Sequence, residues 1–262
     1  MSTETLPGRV ALVTGSGRPR VGNVIVRDLA RWGFRVAVHY NRSADLARET
    51  VESLRDQGCE AAAFGADVGD QVAVERMFAD VLEHFGRLDV LVTTASLWKT
   101  ISLEAMTADD VLQNFRVDGL GTLLCARRAG LIMAEQREGG AIITFGDWAV
   151  RRPYVDHLSY FTAKGAIATM TRALAVELAA RNPRVRVNCI EPGPVMFPPE
   201  MGDDERKALI AATLVKRADC PESVSLAVKF FIDNPFVTGV CLPVDGGRSI
   251  YATESDSTAQ PI

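Results

Sequence analysis

The sequence predicts an α/β fold, a doubly wound parallel sheet covered by helices and built as a single domain. Three observations carry that prediction. Short apolar runs alternate with longer segments of helical periodicity from end to end. The runs are continuously apolar, as strands buried on both faces require. No Pro/Gly/Ser-rich linker and no solenoid-length repeat divides the 262 residues, a length that one large α/β domain fills. Such βαβ repetition winds with right-handed crossovers.

In order, strands are expected at Val10 to Val13, Arg35 to Val38, Ala61 to Phe64, Val90 to Val92, Ala141 to Phe145, Val185 to Ile190 and Val240 to Val244. Between them, Asn23 to Trp32, Ala44 to Gln57, Val72 to Phe85, Ala108 to Glu135, Tyr160 to Ala180 and Glu222 to Ile232 carry apolar residues at helical spacing. The stretch Glu191 to Lys216, with Pro192, Pro194, Pro198 and Pro199, is too irregular for the sheet, so residues 194–216 are expected to form a lid over the carboxyl ends of the strands. The polar tail 251–262 is expected to be loosely held.

Composition excludes several classes. Hydrophobic residues at 47% and charged residues at 24% describe a packed chain and not a disordered one. A net charge of −4 offers no global attraction to nucleic acid or anionic membrane, so an anion must be held by a local site. No apolar run approaches the roughly 20 residues a membrane helix needs, and the start lacks a signal peptide's basic and apolar segments. A cytoplasmic protein is expected, with a small-molecule substrate and neither nucleic acid nor membrane as partner. The five cysteines, Cys59, Cys125, Cys189, Cys220 and Cys241, are odd in number and widely spaced, and read as reduced packing residues, with no disulfide frame or metal site.

After the first strand comes Thr14-Gly15-Ser16-Gly17-Arg18-Pro19-Arg20-Val21-Gly22, and then a helix opens. Glycines here let backbone approach a pyrophosphate while the helix N-terminus supplies free amides, a Rossmann-type dinucleotide site. The second strand ends in Tyr40-Asn41-Arg42-Ser43, where an NAD-binding chain would present a carboxylate, and no acid occurs until Asp45. Arg42 offers a planar cation suited to a 2′-phosphate, with Ser43 and Arg18 or Arg20 beside it, so NADP(H) is the expected cofactor. Asp67-Val68, after the third strand, places a carboxylate where an adenine amino group could donate to it.

Tyr160 and Lys164, four apart on a helix, share one face. A neighbouring ammonium lowers a phenol from its pKa of about 10 toward working pH, which makes Tyr160 a usable acid/base.

With Thr14 to Gly22, Asp67-Val68, Gly86-Arg87-Leu88-Asp89-Val90-Leu91-Val92, Tyr160-x-x-x-Lys164, Arg186-Val187-Asn188 with Pro192-Gly193, and Thr238-Gly239 with Val244-Asp245-Gly246-Gly247, the chain resembles the short-chain dehydrogenase/reductases over residues 8 to 250. The resemblance implies hydride transfer with a nicotinamide cofactor, Tyr160 as acid/base, Lys164 on the nicotinamide ribose, and a homotetramer. Cofactor contacts are expected from Gly15, Arg20, Val21, Gly22, Tyr40, Asn41, Arg42, Ser43, Asp67, Val68, Thr94, Ala95, Ser96, Tyr160, Lys164, Pro192 and Gly193.

Departures from the family pattern point to its pteridine reductase branch. Asp147 stands where a Ser is usual, Arg20 replaces a glycine in a loop one residue longer, the second strand ends in His39-Tyr40-Asn41-Arg42-Ser43, and Trp98 follows Ala95-Ser96. A carboxylate repels a developing alkoxide but suits a C=N bond, whose nitrogen needs a proton that Asp147 and Tyr160 could relay. Trp98 would stack on a flat heterocycle, while Arg20 and Ser96 meet polar edges. Thr93-Thr94 replaces the family's Asn pair, so the side chain that braces the central sheet is expected to be lost. Asp118 takes the place of the relay Asn. The leading expectation is an NADPH-dependent pteridine-type reductase. The alternatives are a carbonyl reductase of a 3-oxoacyl thioester or sugar ketone with Asp147 neutral, and a non-catalytic NADP-binding sensor.

Overall fold

The computed structural model describes residues 8–251. The apolar runs become seven strands, β1 (Val10–Thr14), β2 (Arg35–Tyr40), β3 (Ala61–Gly65), β4 (Val90–Thr93), β5 (Gly140–Phe145), β6 (Val185–Pro192) and β7 (Cys241–Val244). They form one sheet in the order β3-β2-β1-β4-β5-β6-β7, with every neighbouring pair parallel. Eight α-helices occur among the described residues: α1 (Val21–Arg31), α2 (Ala44–Arg55), α3 (Gln71–Phe85), α4 (Ala108–Asn114), α5 (Gly121–Glu135), α6 (Leu158–Ala179), α7 (Asp203–Ala211) and α8 (Glu222–Asp233).

The central strands are buried on both faces because each face meets its own helices. One core joins Val13, Val36 and Ile143 of the sheet to Ile25 and Leu29 of α1, Val51 and Leu54 of α2, and Val228 and Phe231 of α8. The other joins Leu12, Leu91 and Val187 to Phe78 and Val81 of α3, Ala126 and Met133 of α5, and Leu174 and Leu178 of α6. Removing a side chain such as Phe78 or Phe231 costs about 3–5 kcal/mol in a core of this kind.

Local chemistry sets the helix ends. Asp70 caps α3 by accepting from the amides of Val72 (2.8 Å) and Ala73 (3.0 Å), and Gly86, at φ +76°, ends it. Arg186 on β6 donates to the carbonyls of Phe231 (2.5 Å) and Ile232 (3.0 Å), and so ties the C-terminus of α8 to the sheet.

β1 and β4 are neighbours although the chain first runs outward to β3, so the order of strands reverses between them. Their seam is tied at both ends. Asp89 Oδ2 accepts from the Val10 amide (2.8 Å) below, and Thr94 Oγ1 donates to the Thr14 carbonyl (2.5 Å) above.

The single helix expected over Ala108 to Glu135 is instead α4, a π-helical turn Phe115–Leu120, and α5. The wider turn carries Asp118, whose buried carboxylate is held from outside the helix and competes with regular winding. Residues 194–216 hold no strand but do contain α7, which buries none of its residues. Of the tail 251–262, all but Tyr251 lie outside the described residues.

Candidate active site

The loop after β1 is packed so closely at Gly15 and Gly22 that no side chain fits there. A Cβ on Gly15, at φ +70°, would lie 2.8 Å from Ala95 Cα, and one on Gly22 would collide with Thr94 Oγ1. The loop is then stitched down. Ser16 and Gly17 amides donate to the His39 carbonyl, both at 3.1 Å, Ser16 Oγ donates to Val13 O (2.7 Å), and the Gly15 amide donates to His39 Nδ1 (2.8 Å). α1 starts at Val21 with no side chain capping its first turn. Bare backbone beside an uncapped helix N-terminus fits a dinucleotide pyrophosphate.

At the end of β2, Tyr40 lies against Gly65 of β3. Arg42, like Arg18 and Arg20 across the loop, is exposed and has no side-chain partner among the described residues. The next acid, Asp45, is turned to Arg48 (2.8 Å). Asp67 accepts from the Gly69 amide (2.9 Å) and lies 3.7 Å from Arg116, while Val68 is buried against Gly121.

The expected loss of a brace at Thr93-Thr94 is corrected by the structure. Thr94 spans from β4 to the Thr14 carbonyl, and Thr14 Oγ1 in turn accepts from the Ala95 amide (3.2 Å). A hydroxyl reaches because the strands are adjacent and parallel. Thr93 Oγ1 itself is buried without a partner among the described residues.

On α6, Tyr160 and Lys164 face the carboxyl end of β5. Tyr160 Oη donates to Asp147 Oδ2 (2.7 Å), and Asp147 Oδ1 accepts from the Ala149 amide (2.8 Å). Lys164 Nζ donates to Phe145 O (3.0 Å) and lies 3.3 Å from Asp118 Oδ1. Asp118 also holds Ser96 Oγ and the Leu97 amide. Ser96, expected at a substrate edge, thus gives its hydroxyl proton to Asp118.

The electrostatics differ from the expected tuning of Tyr160 by Lys164. Burial, then the Asp147 carboxyl beside it, hold the phenol well above its ordinary value, and Lys164, 5.6 Å from the ring centroid, does not reverse this. The ammonium is engaged by Asp118 and Phe145 instead. Burial likewise pushes the Asp147 carboxyl up, against the lowering pull of the Tyr160 hydrogen bond. A raised carboxyl holds its proton longer and can donate.

Trp98 does not stand free. It stacks on His157 with centroids 4.8 Å apart, and His157 in turn meets Tyr154 edge-on at 4.9 Å. Trp98 remains 58% exposed and Tyr154 42%, so the cluster presents an aromatic ledge to solvent. Arg20 sits at the N-terminus of α1, exposed and distinct from that ledge by element. Pro192 ends β6, and Gly193 lies so close to Asp245 that a Cβ would approach its Cα to 2.6 Å.

The structural roles of two groups escape motif reading. His39 is 1% exposed, with Nε2 at 3.1 Å from the Ala66 carbonyl while Nδ1 accepts from Gly15. A lone imidazole directly after the apolar run Val36 to Val38 was the available signal. Asn114 donates to Leu97 O (2.7 Å) and accepts from Ser159 Oγ (3.0 Å), fixing the loop after β4 to α6; nothing in the sequence marks it.

Residues 20–249 match the family model described as enoyl-(acyl carrier protein) reductase. Versicolorin reductase 1 of Aspergillus parasiticus is 33% identical over 259 residues, covering 92% of this chain and 97% of that one. Glucose 1-dehydrogenase 2 of Bacillus subtilis is 29% identical over 258 residues, 95% of this chain and 98% of its own. A solved structure from Sinorhizobium meliloti 1021, described as a short-chain alcohol dehydrogenase, superposes with a TM-score of 0.86 at 29% identity, covering 94% of this chain and 98% of that one. These relatives are not pteridine reductases, so the family expectation stands and the branch expectation does not gain from them. With the glycine loop, the Tyr160–Lys164 pair and the parallel sheet now in view, the chain belongs to the short-chain dehydrogenase/reductase family.

Proposed function

We propose that the protein is an NADPH-dependent carbonyl reductase whose substrate carries its ketone on or beside a planar ring system. The observation that carries the reading is the Tyr160–Asp147 contact of 2.7 Å, made by a carboxyl that burial pushes toward its neutral form. Neutral Asp147 supplies a donor where a carbonyl reductase requires one, which removes the objection that a carboxylate repels an alkoxide. The names of the relatives, versicolorin reductase among them, favour this reading over pteridine reduction, and the ledge of Trp98 and Tyr154 suits a flat substrate.

Reduced nicotinamide dinucleotide, when bound, supplies the hydride. The backbone from Gly15 to Gly22 would hold its pyrophosphate, Arg42 with Ser43 a 2′-phosphate, and Thr94, Lys164 and Pro192-Gly193 its nicotinamide end. Tyr160 gives its proton to the substrate oxygen as charge develops there, and Asp147 donates a second hydrogen bond to the same oxygen. Asp118 keeps Lys164 in place behind them. Residues 194–216 close over the ring system as a lid.

The test follows NADPH absorbance with an aromatic ketone such as a tetralone and with dihydrobiopterin. We expect ketone turnover, its loss in Tyr160→Phe, and a kcat/KM that falls as pH rises, because the raised Asp147 carboxyl then ionises. That limb should vanish in Asp147→Ser. Turnover of the pterin without the ketone would instead support C=N reduction, the reading that an ionised Asp147 favours. Tight NADPH binding with neither substrate consumed would indicate a sensor.

A further inference from the structure

β6 and β7 pair in parallel with Cys189 opposite Cys241. Residues opposite one another on neighbouring parallel strands point to one face with Cα atoms about 4.8 Å apart, within the roughly 4.4–6.8 Å that a disulfide spans. The two thiols are close enough to shift each other's hold on a proton, and Cys189 Sγ also donates to the Ile190 carbonyl (3.5 Å). Their settings differ sharply. Cys189 is fully buried, whereas Cys241 is partly exposed on the last strand of the sheet. The charged groups around Cys241 come from three elements: Glu191 at the end of β6, Arg172 of α6, and Arg151 of the turn after β5.

We propose that Cys241 and Cys189 form an oxidisable thiol pair, in which Cys241 exchanges with a small-molecule disulfide and Cys189 resolves the adduct into a Cys189–Cys241 disulfide. With oxidised glutathione the Cys241 thiolate attacks one sulfur, forming a mixed disulfide and releasing one glutathione. The Cys189 sulfur then attacks the Cys241 sulfur, releasing the second. Two protein thiols are oxidised by two electrons, one glutathione disulfide is reduced, and both thiol protons end on the released glutathiones.

The division of labour follows from the settings. The hydrogen bond from Cys189 brings the Cys241 thiol down to about 7, while that same contact and burial push Cys189 well up. The lowering favours the thiolate of Cys241, the reactive form, over that of an ordinary cysteine. Burial pushes Cys59, another partly exposed thiol, the other way. The pair lies outside the residues assigned to hydride transfer, so it does not depend on that reading.

The full-length protein is treated at pH 7 with oxidised glutathione, its remaining thiols are alkylated, and its peptides are mapped by mass spectrometry. We expect a Cys189–Cys241 cross-link, formed at least tenfold faster than any adduct on Cys59. In Cys189→Ala, Cys241 should retain the glutathione adduct; in Cys241→Ala, Cys189 should stay reduced. A wild-type Cys241 adduct that never closes, or a pair that stays reduced while Cys59 or Cys220 reacts, overturns the proposal, as does complete inertness. Circular dichroism of each variant verifies the fold, and cross-linking of the wild type alone still decides the case if a variant does not fold.

Discussion

His39 shows how one side chain links sequence to site. Its neutral ring fills a slot between the Gly15 amide and the Ala66 carbonyl, which fixes the proton on Nε2, and burial brings its pKa down to about 4 from 6.5. Because the folded value lies below the unfolded one, the neutral ring's stability is complete above pH 6.5 and is lost as pH falls toward 4. The full cost is about 3 kcal/mol. Urea unfolding between pH 4 and 7 should show this slope, and His39→Gln should flatten it; an unchanged slope would place the acid sensitivity elsewhere. At this scale part of the site was legible: Tyr160 and Lys164 share one face of α6 as their spacing suggested, and Asp147, singled out through the family resemblance, meets Tyr160. What was not legible is the sign of the shift on Tyr160, because sequence spacing reveals a nearby cation but not that Asp118 and the Phe145 carbonyl already engage it.

Among elements, the strand and helix positions followed from periodicity, since burial on both faces leaves its mark in the central strands. The interruption at Phe115–Leu120 did not, because the partners of Asp118 on that turn, Lys164 and the loop after β4, lie far off in sequence. The β1 loop and the end of β4 are also mutually fitted: Gly22 leaves room only for the Thr94 hydroxyl. Gly22→Ala is expected to weaken NADPH binding about tenfold or to destabilise the fold by about 1–3 kcal/mol. Adding Thr94→Ala should restore part of the loss, because the colliding oxygen is gone. A double-mutant cycle measured by fluorescence titration and urea unfolding tests the coupling; strictly additive effects would mean that the two positions do not share the space.

For the whole molecule, a net charge of −4 coexists with Arg18, Arg20 and Arg42 exposed around the loop and the end of β2. Those cations act locally and through solvent, where screening operates over roughly 10 Å at 0.1 M salt. The Kd for NADPH should therefore rise more steeply with ionic strength than that for NADH, and Arg42→Ala should bring the two slopes together. Equal slopes in the unaltered protein would remove the 2′-phosphate assignment. One doubly wound sheet was legible from the alternation of elements, but the order of its strands was not, since buried apolar runs do not say which neighbour they meet. The tied seam between β1 and β4 bears on how that order is reached. Val10 and Asp89, Thr14 and Thr94 are about 80 positions apart, so this pairing closes a long loop and belongs late in folding. A slip of one residue would turn every side chain of β4 to the opposite face and strand both the carboxylate and the hydroxyl. The two ties thus act as a register key, which lets the halves of the chain meet in one alignment only.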